Sequence, residues 1–169
     1  MERLASAIDA VNRAIGSVLS WAALILALWQ FGLILAQAVF RVGSIFAQEA
    51  LIYMNALLFL GAGGYTLLKD GHVRVDLFYH QMTDKTKAWV NLLGTALFLW
   101  PMCLLILISG TPYVVDSWVR LEGSIETSGI PAVFVLKTFI LVFALLVSLQ
   151  GLSLVLRSLM TIKAQRHDG

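Results

Sequence analysis

Three residues have the spacing most suggestive of chemistry in this chain. His72, Asp76 and His80 recur every four residues, so on a helix they share one face. That spacing can present ligands to a metal or an acid–base pair to a substrate. It equally suits capping and ion-pair groups at a membrane surface. Glu49 stands alone just ahead of a long apolar run. It suits a solvated carboxylate at headgroup level, a charge at a helix N-terminus, or a contact with a partner. The single cysteine, Cys103, has no second thiol to bond. Among apolar neighbours it reads as a small packing residue. No nucleophile–base pair, phosphate loop or metal-ligand spacing stands out elsewhere. The sequence reads as a non-enzyme with no metal or cofactor site.

The elements that position these residues are four uncharged apolar stretches, at 14–40, 50–68, 88–115 and 138–156. A bilayer core about 30 Å thick takes about 20 residues of helix to cross, and each stretch is long enough or nearly so. The chain has 169 residues and is 59% hydrophobic, more apolar surface than a soluble domain of that size could bury. The fold class is therefore an all-α integral membrane protein, a single four-helix membrane domain over residues 1–169.

Charge placement predicts its orientation. Nine basic residues lie in the N-terminal segment, the 69–87 connection and the tail, against three (Arg41, Arg120 and Lys137) on the other side. The positive-inside rule puts both termini in the cytoplasm. The basic residues form no stripe that would suit nucleic acid.

Short interfacial amphipathic helices are expected at 2–13, 72–82 and 116–126. In the first, Leu4, Ile8, Val11 and Ile15 share one face, and Asp9, Asn12 and Arg13 lie on the other. The second span, at 19 residues, must sit nearly upright. Its Asn55 and the run Gly61-Ala62-Gly63-Gly64 suit close approach and hydrogen bonding between helices. Glu49, Asn55, Gly61, Gly63, Gly64 and Gln150 are the candidates for a partner interface. Gly71 is expected to cap the second span, and Pro101 to kink the third. Lys137 can snorkel to the outer headgroups.

What the spans lack is as informative. None contains Asp, Glu, Lys, Arg or His. A charge at the bilayer centre costs at least about 2.5–3.5 kcal/mol and is kept for ion or substrate work. A proton-coupled exporter would want a carboxylate there, a membrane cytochrome paired histidines, and a disulfide oxidoreductase paired cysteines. No internal repeat of the inverted-transporter kind is evident.

In order along the chain stand Gln48-Glu49, Gly61-Ala62, Gly71-His72-Val73-Arg74-Val75-Asp76 and Glu126-Thr127-Ser128-Gly129-Ile130-Pro131, with Gln150 in the last span. In this series the chain resembles the small membrane subunit, of DctQ type, of tripartite ATP-independent periplasmic (TRAP) transporters. It departs in having Gln48 where that family often has a second acid, and no tryptophan just upstream. The resemblance implies a three-protein system of the bacterial inner membrane. A periplasmic binding protein captures an organic acid, and a large multi-span membrane subunit carries the substrate and sodium sites. The small subunit would pack on the static part of the large one and help dock the binding protein. His72 and Asp76 would then fix the cytoplasmic turn, and Glu126 with Pro131 the approach to the fourth span.

Two other readings fit the residues. One is a homo-oligomeric small transporter or channel with a path lined by Asn55, Gln37 and Gln150. The other is a membrane enzyme using His72, Asp76 and His80.

Overall fold

A computed structural model of the chain describes residues 1–71, 79 and 81–167. Among the described residues, six α-helices follow in order: α1 Glu2–Phe40, α2 Ile45–Gly61, α3 Gly63–Leu68, α4 Asp84–Gly94, α5 Trp100–Val119 and α6 Val133–His167. A π-helical turn, Thr95–Leu99, joins α4 to α5. Together they form four long rods, namely α1, α2 with α3, α4 through α5, and α6. Each is long and apolar enough to cross a membrane. The all-helical fold with four spans agrees with the four uncharged runs.

The rods outrun the apolar stretches. α1 has 39 residues, about 58 Å at 1.5 Å per residue and nearly twice the hydrocarbon thickness. Residues 2–13 are its first turns and not a separate helix. Their polarity also runs opposite to the soluble pattern. Leu4 and Val11, each 54% exposed, point outward, while Asp9 and Asn12, at 3% and 1%, point into the protein. The small and polar side of these turns packs on α6, and the apolar side is left facing outward. The buried residues of α1 are Ala5, Asp9, Asn12, Gly16 and Leu19. Their alternating four-and-three spacing is that of a helix–helix seam.

α2 starts five residues before the expected span, because Ser44 caps it: its Oγ accepts the Ala47 N–H at 3.3 Å. With α3 the rod reaches 24 residues, so it has length to tilt. At its far end Asp70, and not Gly71, takes the left-handed conformation, with φ 57°. The Gly71 N–H then returns to the Thr66 carbonyl at 2.9 Å, closing the turn.

The break expected at Pro101 takes the form of the π-helical turn just before it. A wider turn there accommodates a residue with no N–H to give. The expected helix 116–126 is helical only through Val119, as the end of α5. Leu121, at φ 46°, turns the chain, and the Glu122 N–H bonds the Ser117 carbonyl at 3.0 Å. The expected helix 72–82 falls almost wholly outside the described residues.

α6 is the hub. α1 and the α2–α3 rod pack on each other and on α6, while the α4–α5 rod packs chiefly on α6. The first turns of α1 lie against the C-terminal half of α6. Both chain ends therefore sit at the same end of the protein.

Candidate functional site

Among the described residues, polar side chains gather in one knot at each end of the protein, in an open row between α1 and α2, and in a smaller cluster of Tyr79, Lys87 and Asn91.

At the end that holds the termini, α1 offers Asp9 and Asn12. α6 offers Gln150, Ser153 and Arg157, whose spacing of three and four puts them on one face. Gln150 bridges the two helices: its Nε2 donates to Asp9 Oδ1 at 2.9 Å, and its Oε1 accepts from Asn12 Nδ2 at 2.9 Å. Ser153 Oγ donates to Asp9 Oδ1 at 2.6 Å. The Arg157 guanidinium donates twice to Asp9 Oδ2, through Nε at 3.1 Å and through its terminal nitrogen. Both carboxylate oxygens are thus filled by groups of the chain itself. Asn12 Oδ1 is buried without a partner among the described residues and sits over Gly64, where a Cβ would strike it.

At the opposite end, Glu49 in the first turns of α2 reaches across to the segment ahead of α6. It accepts from Ser124 Oγ and, at 2.6 Å, from the Ile130 N–H. Ser124 Oγ in turn accepts the Glu126 N–H at 3.1 Å. Beside this, Glu122 accepts from Ser117 Oγ at 2.7 Å and from the Lys137 ammonium. Lys137 also lies over the Tyr113 ring, 4.0 Å from its centroid. The hydrogen bond from Lys137, then that from Ser117, hold the Glu122 carboxyl below its ordinary range.

The sequence candidates are distributed among these places. Glu49 is spent on Ser124 and Ile130. Gln150 is spent on Asp9 and Asn12. Gly61 faces Leu19, Gly63 faces Phe143 and Val147, and Gly64 faces Asn12. These glycines let α1 and α6 approach the α2–α3 rod within the chain. Asn55 is exposed on the outer side of α2. Glu126 is exposed and is held through its backbone, and exposed Pro131 packs beside Gly123 ahead of α6. His72, Asp76 and His80 lie outside the described residues. The channel reading needed Asn55, Gln37 and Gln150 on one path. Gln150 is instead buried beside Asn12, some eighteen residues of α1, about 27 Å of helix, from the level of Gln30 and Asn55.

Sequence reading missed Asp9 and Arg157. Their signal was the seam spacing of Ala5, Asp9, Asn12 and Gly16, which the apolar periodicity on the other face obscured. It also missed Gln30. This glutamine is exposed with Gln37, Gln48 and Asn55 along the groove between α1 and α2.

Both acidic knots are closed on themselves, and beside the first an open groove of about 350 Å³ is lined by Asp84, Lys87, Asn91, Arg157 and Ser158. What remains available is surface: long apolar faces and the row of amides. A family model described as tripartite ATP-independent periplasmic transporters, DctQ component, matches residues 26–161. No curated protein and no solved structure matches the chain significantly.

Proposed function

Since the chain belongs to the DctQ family of small membrane components of TRAP transporters, we propose that it is the non-catalytic scaffold of a sodium-coupled organic-acid uptake system. It packs on the static part of a large multi-span membrane subunit. It helps a periplasmic substrate-binding protein dock at the end that carries Glu49, Glu122 and Glu126. It resides in the bacterial inner membrane with both termini in the cytoplasm, the orientation favoured by the basic residues.

The observation behind this reading is where the ionisable groups lie. Asp9, Arg157, Glu49, Glu122 and Lys137 all sit toward the ends of the rods, and their charges are tied to one another or to backbone. The middle of the membrane holds only uncharged residues. A carrier needs a group there that binds or releases its cargo as the protein moves. A scaffold needs rigid rods and a face for its partner.

Uptake in reconstituted vesicles tests the proposal. Sodium-driven accumulation of an organic acid should require the large subunit and the binding protein together with this chain. Uptake by this chain alone would overturn it.

A further inference from the structure

Four side-chain amides stand on the outside of the α1–α2 pair. Gln30 and Gln37 are seven residues apart on α1, and Gln48 and Asn55 are seven apart on α2. Two helical turns nearly restore direction, so each pair shares a face. The two helices run antiparallel through the connection 41–44. Gln37 and Gln48 lie equally far from it, and so do Gln30 and Asn55. The result is two level rungs. The outer rung is three residues inside the helix ends, within reach of headgroups. The inner rung is ten residues inside, about 15 Å deep and close to the middle of a bilayer.

All four residues are exposed, and among the described residues none of their side-chain amides is hydrogen-bonded within the chain. Gln30 and Asn55 line one groove of about 310 Å³ with Leu26, Leu51 and Ile52. A second groove of about 310 Å³ holds Gln30, Gln37 and Gln48. An amide has two donors and one acceptor oxygen. At the depth of Gln30 and Asn55, lipid tails can satisfy none of them. The carboxylates at the two ends of the protein are spent on groups of the chain itself, whereas this pair of amides is unspent.

We propose that the Gln30–Asn55 rung, with Gln37 and Gln48 above it, is the docking surface for a transmembrane helix of the large subunit. That helix brings hydroxyl, amide or open carbonyl groups to bilayer mid-depth. The inference rests on the scaffold reading and adds to it the face and the recognition chemistry. A second copy of this chain is the rival occupant, because amides can pair with amides. The large subunit is favoured because the family is one component of a tripartite system.

The test measures association in nanodiscs between this chain and the large multi-span TRAP membrane subunit of the same organism. Replacing the inner rung (Q30L/N55L) should weaken association by about tenfold, the effect of losing two interhelical hydrogen bonds. The isolated chain should melt no lower, since leucine suits lipid better than an unpaired amide. Unchanged association would overturn the docking surface and leave the scaffold reading standing. A wild-type chain that ignores the permease and self-associates through this rung would overturn both. If the double variant fails to fold, a photo-cross-linker settles the placement. Placed at Ile34 or Ile52 it should capture the permease, and at Leu105 on α5 it should not. Capture from Leu105 alone would overturn the proposal.

Discussion

Asp9 and Arg157 meet across 148 residues of chain, and their contact fastens the first helix to the last. The two partners are unequal. The Asp9 side chain is 5% exposed, whereas that of Arg157 is 49% exposed. Removing the arginine leaves a buried carboxylate with only the neutral donors Gln150 and Ser153, while neutralising the aspartate leaves a guanidinium that can turn to water.

Arg157→Leu should therefore destabilise the isolated chain by about 1–3 kcal/mol. Asp9→Asn, which keeps the Oδ1 acceptor for Gln150 and Ser153, should cost less, and the double variant D9N/R157L should recover much of the loss. Thermal unfolding in detergent, followed by helicity, measures all three. Equal damage from the two single variants would contradict the asymmetry.

The glycine run should behave as internal packing. A Cβ on Gly63 would lie 2.6 Å from the Phe143 ring, closer than side chains tolerate. Gly63→Ala should lower the stability of the chain by about 1–3 kcal/mol with no partner present. Gly32, whose Cβ direction is open, should accept alanine without loss. The comparison separates folding from assembly, since a purely intersubunit role for Gly63 predicts no change in the isolated chain.

Acid should loosen the end that carries Glu122. Its carboxyl is held below the ordinary 4.5 by Lys137 and Ser117. A lowered carboxyl stabilises fully above its unfolded value and loses that contribution as pH falls through the folded one. Melting temperature measured from about pH 6 down to about pH 3 should fall less steeply in Glu122→Gln than in the wild type. Identical slopes would show that the pair with Lys137 contributes nothing.

Glu49 should control the segment 120–132. Glu49→Ala releases the Ile130 N–H and Ser124 Oγ together. Amide exchange at Ile130 should then quicken by roughly tenfold or more, while that of Val147, in the middle of α6, stays as it was. Uniform change along α6 would instead mean that Glu49 supports the whole rod.

Much of this fold was legible because lipid imposes a simple rule, that a span must lack charge and run long enough to cross. The four stretches obey it, so their number and type followed from composition alone. Their ends did not. Helical backbone continues past the point where polarity begins, as at Glu2–Arg13 and Ile45–Glu49, because hydrogen bonds within the helix are indifferent to the solvent outside. The site was harder still. Asp9 was placed on a water-facing side by a rule from soluble proteins, which lipid reverses. Gln150 stood out as polar within a span, yet nothing near it in the sequence pointed to Asn12 or Asp9. Asn55 was grouped with Gln37 and Gln150 but not with Gln30. Its relation to Gln30 emerges only when the two helices are folded back at 41–44.

The clasp between the first and last helices also has a calendar. Asp9 is made 141 residues before Gln150 and 148 before Arg157. At about 5–20 residues per second, the carboxylate waits about 7–30 seconds for its partners. Until then it must stay near water or remain protonated, with the seam of α1 unfilled. A nascent chain that stops before Gln150 keeps this acid unmet by any of its three partners on α6.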